Sequence, residues 1–499
     1  MKVLTAKGGE ISLTDELRSM VAFLDDGRLF ISKSHVFNPH VRGFVSRLEH
    51  QGKKFTVQHC DLAVIAGYYE STATSETQSN MQVVARQLFE RAVEQRASDI
   101  HIRVSSRRRT EILFRIHNDL VFIEEHTFEY GDQLCTTIFQ AMADVSDATL
   151  EKLNRQDARI SERTKIPEKL DGIRIATSPQ VDGFIFVLRL LYNDANDDLD
   201  LALLGFHPEQ CLAIDAFKKS TSGVVVIGGP TGSGKSTTLQ RTLGSIIAET
   251  EGRKHIITVE DPPEYPIPGA VQTPVTNAST EEERSREYQK AIKASMRLDP
   301  DIIMLSEVRD TPSARLAVQA AMTGHQVWTT LHANNALGIV DRLIDLGANP
   351  SNVMDPSTIA GLLCQRLVKV LCPHCKKPLT EHTDRIPRDA LERYLSILNI
   401  SSVFIQGEGC PHCRNSGTAG RTVVAEVIPT DERLMQYLRD KDRIGAREYI
   451  TKELGCLTML EHTIQKINAG LVDPYLAEDV VGMLSPPVVT PTRRLEAVA

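Results

Sequence analysis

The chain has 499 residues and a mass of 55.4 kDa, with 41% hydrophobic and 24% charged residues and a formal net charge of −8. This is the balance of a soluble globular protein with room for about three domains. It excludes a surface built to coat nucleic acid or anionic lipid, and no apolar run reaches the ~20 residues a membrane helix needs. The start, MKVLTAKGGEISLTDEL, lacks the apolar core of a secretory signal, so the chain is expected in the cytosol.

Residues 1–72 read as a small N-terminal domain without a motif that names its role. The polar stretch STATSETQSN (71–80) reads as a linker. MQVVARQLFERAVEQR (81–96) spaces its apolar residues as a helix does, and DIHIRV (99–104), TEILFRI (110–116) and GFIFVLRLL (183–191) read as strands. They belong to a middle α+β domain over 81–192. NDANDDLDL (193–201) is acidic and turn-rich and reads as a second linker. From 202 to 484, strands alternate with helices, the pattern of a parallel sheet covered on both faces. Residues 485–499 read as a flexible tail.

GVVVIGGPTGSGKSTTLQRTLGSII (223–247) gives strand, glycine loop and helix in order. Gly229, four residues, then Gly234, Lys235 and Ser236 match a P-loop for a nucleoside triphosphate. The phosphate cradle is Gly229, Pro230, Thr231, Gly232, Ser233, Gly234, Lys235, Ser236 and Thr237. Backbone N–H groups turn toward the phosphates, Lys235 reaches the β- and γ-phosphates, and the Ser236 hydroxyl ligates Mg²⁺.

An acidic residue at the end of a second strand is also required. DPDIIMLSEVRD (299–310) supplies Glu307 as the Walker B group near Mg²⁺ and its water. ITVEDPPEYPI (257–267) places Glu260 and Glu264 beyond another strand, where ligands sit in open α/β sheets. Glu264 is the favoured group to orient or deprotonate the attacking water, with Glu260 as rival and a purely structural turn as the plain alternative. TGHQVWTTLHANNA (323–336) flanks a strand with His325 and His332, both candidates for sensing the γ-phosphate.

CPHC occurs twice, as Cys372 with Cys375 and as Cys410 with Cys413. Haem attachment would need His directly after the second cysteine, and structural disulfides are rare in the cytosol. A dithiol redox centre remains a rival. Two knuckles closing one four-cysteine Zn²⁺ site fit best.

The motifs GPTGSGKS, EDPPEY, DPDIIMLSEVRD and TGHQVWTTLHANNA stand in one order, followed by QRLVKVLCPHC and GCPHCRNSGTAGR. ASDIHIR, FRIHNDL, GIRIATSP and FVLRLL precede them. Together they resemble the type II secretion and type IV pilus assembly ATPases of bacteria. The resemblance implies a RecA-like P-loop ATPase domain with a zinc subdomain at 368–416, preceded by a PAS-like middle domain. It implies ATP, Mg²⁺ and Zn²⁺ as bound species and a homo-hexamer peripheral to the inner membrane. The ring would act on an inner-membrane platform protein, without nucleic acid. Arg174 and Arg189 match arginines that meet the ATP phosphates in that family, with Arg115 and Arg159 behind them. The family's retraction branch lacks the zinc subdomain, so the expected activity is ATP-driven assembly of a thin, type IV pilus. A type II secretion ATPase is the alternative, and a ring scaffold that binds ATP without hydrolysis is the rival of another class. Ser306 stands where relatives usually carry Gly, and HANNA replaces the common HTNDA.

Overall fold

A computed structural model describes residues 3–5, 10–144, 149–193, 198–275 and 280–485. The chain divides into two compact units, Met1–Tyr192 and Asn193–Ala499. The division falls at the second expected linker, of which residues 194–197 lie outside the described residues; so do residues 486–499 of the expected tail.

The first unit opens with strands Val21–Phe23, Arg28–Ser32 and Thr56–Cys60 in one sheet. Alternate residues Val21, Phe23, Leu29 and Ile31 pack on Val41, Phe44 and Leu48 of helix Pro39–His50. Helix Leu62–Glu94 follows. It carries the backbone of 71–80, which the polarity of that stretch had suggested as a linker. The stretch has neither Gly nor Pro, so nothing in it stops a helix that both flanks support.

The expected strands form as Asp99–Ser105, Thr110–Ile116 and Gly183–Tyr192 within a six-stranded antiparallel sheet. Ile100, Ile102, Phe114 and Leu188 from this sheet share a core with Leu88 and Phe89 of the long helix.

The second unit is built on β1 (Gly223–Gly228), α1 (Lys235–Glu249), β2 (Ile256–Glu260), β3 (Val271–Pro274), α2 (Glu281–Ser295), β4 (Ile302–Leu305), α3 (Thr311–Met322), β5 (Gln326–Leu331), β6 (Ile359–Leu371) and β7 (Thr418–Pro429). The strands form one seven-stranded sheet in the order β3-β2-β4-β5-β1-β6-β7. Every pair is parallel except β6 with β7.

This sheet is covered on both faces, which is why its strands read as continuous apolar runs. Val224 and Val226 of β1 join one core with Ala314, Ala317 and Val318 of α3. Val225 and Ile227 join the other with Leu239, Leu243 and Ile246 of α1. Each such Val, Leu or Ile side chain, fully buried, contributes roughly 1.5–3 kcal/mol. β6 and β7 extend beyond the sheet as an antiparallel pair, and the cysteine knuckles sit at its far end.

Candidate functional site

The phosphate loop leaves the carboxyl end of β1. Gly229 has φ +150 and a Cβ there would come within 2.5 Å of the Gln365 backbone oxygen. Gly234 caps α1 with φ 84, a left-handed conformation that favours glycine. Lys235 Nζ donates to Gly229 O at 2.9 Å and to Pro230 O at 3.0 Å. Burial pulls the Lys235 pKa below its usual value, and the carboxylates of Glu307 and Glu264 oppose that shift. Both acids therefore stand within electrostatic reach of the loop lysine.

Parallel register sets the loop's neighbours. Glu260 ends β2, Glu307 follows β4 and His332 follows β5, all at the sheet edge that carries the loop. His332 Nε2 lies 2.9 Å from Glu307 Oε1, and Arg309 Nε donates to Glu307 Oε2 at 2.7 Å. Arg309 also approaches Asp261 at 3.7 Å, and Arg284 approaches the same carboxylate at 3.9 Å. Tyr288 of α2 donates its hydroxyl to the Glu307 backbone oxygen at 3.2 Å. Burial pushes the Tyr288 phenol up to about 12, so it acts there as a neutral donor. A cavity of about 500 Å³ opens beside Glu307, with Asp261, Arg284, Tyr288, Arg309 and Asp310 in its wall.

Glu260 and Glu264 differ sharply in setting. Glu260 is 5% exposed and accepts from Thr258 Oγ1 at 2.6 Å and from Gln272 Nε2 at 2.8 Å. Burial raises its pKa. Gln272, which donates to that carboxylate, also donates to Tyr265 O at 2.9 Å and so ties Glu260 to the turn that carries the second acid. Glu264 is half-buried, with its charge felt at Lys235.

The structure does not bring His325 to the phosphate loop. It precedes β5, whose register pairs Gln326 with Gly223 and Leu331 with Gly228. His325 thus lies at the start of β1, a strand length of ~20 Å from the loop. Its Nδ1 sits 3.0 Å from Ala320 O and 3.1 Å from Thr323 Oγ1, a local role closing α3. Two histidines flanking one strand cannot both sit at the same sheet edge.

Arg174 and Arg189 belong to the first unit, where they pair directly across neighbouring strands. Asp99 lies opposite Arg189 and Arg115, and Arg159 opposite Arg174. Four arginines and one aspartate thus form a row across five strands on the face away from the core. Asp99 accepts from Arg189 Nε at 3.0 Å. Like charges opposite one another disfavour the sheet, and Asp99 offsets this between Arg115 and Arg189.

The four knuckle cysteines gather with all sulfurs within 4.8 Å of one another. Cys372 and Cys410 sulfurs are 3.8 Å apart, Cys375 and Cys413 are 3.7 Å apart, and Cys410 and Cys413 are 3.7 Å apart. Four bonds of ~2.3 Å at tetrahedral angles require sulfurs about 3.8 Å apart, so the set fits Zn²⁺. The N–H groups of Cys410 and Gly417 both point at Cys413 Sγ, at 3.2 Å each, as suits a thiolate. The two inner histidines are no ligands in this arrangement; the rings of His374 and His412 pack on each other at 4.0 Å.

Residue spacing alone missed Tyr288, Arg309 and Gln365. For Gln365 the signal was present as one amide inside an apolar strand, LLCQRLVKVL.

A phosphate loop with acids and a histidine on adjoining strand ends defines a P-loop nucleoside triphosphatase, here carrying a four-cysteine cluster of zinc-site dimensions. Residues 74–481 match the family described as Type II/IV secretion system protein, and the chain belongs to that family. It is 34% identical to Type II secretion system protein E of Pseudomonas aeruginosa over 76% of this chain and 72% of that protein. It is 33% identical to Type II secretion system ATPase E of Vibrio cholerae over 74% of this chain and 70% of that one. In fold it is similar to the pilus retraction motor PilT with bound ADP, at TM-score 0.53 and 21% identity, covering 81% of this chain and 97% of that one. The ATPase DotB of Legionella pneumophila is similar at TM-score 0.54 and 18% identity, covering 79% and 94%. The chain is an ATP-hydrolysing enzyme of this type II/IV secretion family. Among the described residues no helix is long and apolar enough to cross a membrane.

Proposed function

We propose that the chain is the hexameric, cytoplasmic motor of a type IV pilus assembly machine, working against an inner-membrane platform protein. The reading is carried by one observation: the phosphate loop, Glu264, Glu307 and His332 converge at one edge of the parallel sheet. The cysteine cluster supports assembly over retraction. A second reading, a type II secretion ATPase, is favoured by the names of the relatives above.

The chemistry follows from the edge. ATP phosphates lie against the loop N–H groups at the start of α1, where the helix dipole favours negative charge. The Lys235 ammonium exchanges two loop carbonyls for phosphate oxygens. Ser236 and Glu307 would hold Mg²⁺, which when bound neutralises phosphate charge. Glu264 orients the attacking water and accepts its proton. His332 binds Glu307 and so reads whether the γ-phosphate remains. Arg174 and Arg189 bring a guanidinium fork suited to phosphate oxygens.

The test is Mg²⁺-dependent ATP hydrolysis of the wild type beside Glu307→Gln, with particle size recorded on the same samples. Turnover should fall at least about a hundredfold while nucleotide binding and ring size persist. Equal turnover in both would remove Glu307 from the centre of the reaction. The two readings part in cells: loss of the gene abolishes surface fibres under the first and traps exported proteins under the second.

A further inference from the structure

Gln365 is fully buried in β6, on the strand beside β1. Both ends of its amide are committed. Nε2 donates to the Ser233 backbone oxygen at 2.8 Å, and Oε1 accepts from Thr238 Oγ1 at 2.9 Å. The first partner lies in the phosphate loop and the second in the first turn of α1. A Cβ at Gly234 would come within 3.3 Å of Gln365 Nε2, so the loop closes tightly on this side chain.

A loop that turns its N–H groups toward phosphate turns carbonyls the other way, into the protein. A buried carbonyl then needs a donor from another element. For Ser233 that donor is Gln365. The Ser233 hydroxyl is itself buried without a partner and gives no relief. The neighbours of Gln365 act on the opposite face of the same strand, as alternation requires. Cys364 Sγ reaches Ala333 O at 3.7 Å and Arg366 reaches Asn334 O at 3.4 Å, both just past His332. Three consecutive residues of β6 thus hold the phosphate loop and the loop behind the histidine.

We propose that Gln365 is a positioning residue that sets nucleotide affinity by holding the Ser233 carbonyl away from the phosphates. It acts through the loop and does not touch the reacting atoms. The inference rests on the phosphate-loop reading above.

The test compares Gln365→Met, Gln365→Glu and wild type for binding of a fluorescent ATP analogue and for KM and kcat with MgATP. Methionine keeps the length and loses both hydrogen bonds. Glutamate keeps the acceptor for Thr238 and loses the donor to Ser233. Both variants should bind the analogue and MgATP roughly tenfold to a hundredfold more weakly, with kcat within about threefold, because fewer molecules hold the competent loop. The glutamate variant should recover as pH falls, since a protonated carboxyl again donates to Ser233; methionine should show no such recovery. That pH signature carries the test if the methionine variant does not fold. Wild-type affinity in either variant, or lower kcat at unchanged KM with no pH recovery, would overturn the proposal. A wild type that fails to bind the analogue would overturn the phosphate-loop reading itself.

Discussion

Glu307 is held by two side chains, the His332 ring at 2.9 Å and the Arg309 guanidinium at 2.7 Å, while its backbone is fixed by Tyr288. The nearby acids divide their labour by burial. Glu260 is surrounded by donors and serves the turn; Glu264 is the acid left facing the lysine. Glu264→Gln should therefore lower kcat by roughly 10²–10⁴-fold with ATP affinity nearly unchanged. Glu260→Gln should act chiefly on stability, by about 1–2 kcal/mol, because a buried acceptor is replaced by a donor facing donors. Steady-state kinetics and urea midpoints on the pair check the division; a larger kcat loss in Glu260→Gln would reverse it. A second titrating group sits away from the site. Burial, and then the charge of Lys466, push the His462 pKa down to about 4, and its Nδ1 accepts the Ala425 N–H at 3.1 Å, which only the neutral ring can do. Its folded pKa lies below the ~6.5 of an unfolded histidine, so the unfolded chain binds the extra proton between these values. Stability from this residue is full above about pH 6.5 and is lost as pH falls toward 4, by roughly 2–3 kcal/mol. His462→Asn keeps an acceptor and should flatten that loss when urea midpoints at about pH 7 and about pH 5 are compared.

At the scale of elements, β6 joins three parts of the second unit. It pairs with β1 beside the phosphate loop, carries Gln365, and ends at Leu371, next to Cys372 of the cysteine cluster. Residues 372–417 leave and rejoin the sheet through β6 and β7, so the cluster closes that excursion at its base. Zinc bound by four thiolates would contribute on the order of 10–16 kcal/mol of binding free energy to folding of this segment. A strong chelator should remove about one zinc per chain and make this segment sensitive to protease, while the fragment bearing the parallel sheet survives. Metal content and cleavage sites read together check this; an unchanged cleavage pattern in zinc-free protein would show that the lobe holds itself. The helix Leu62–Glu94 makes the complementary point. Its middle lacks helix-breaking residues, and polarity alone was a poor guide to where it stopped.

At the scale of the whole molecule, the phosphate loop belongs to the second unit and the arginine row to the first. Arg174→Ala and Arg189→Ala should lower kcat by roughly a thousandfold or more if these groups stabilise charge on the transferred phosphoryl. ATP affinity should change by far less, since the loop and Lys235 are untouched. Arg189→Ala also takes one of its donors from Asp99. A variant with wild-type kcat would remove the row from the reaction.

Local spacing alone determined the P-loop, the Walker B acid, the zinc knuckles and the α/β class. Gly-x4-Gly-Lys-Ser builds a strand, loop and helix within one short segment, and C-x-x-C presents two thiolates at the bite of one metal. Tertiary structure alone decided which histidine lies beside the phosphate loop, because strand direction and parallel register put His332 and His325 at opposite sheet edges. It also set Glu260 apart from Glu264, through burial that neighbouring strands impose. Gln365 finds Ser233 across 132 residues of chain, and its role exists only once β6 lies beside β1.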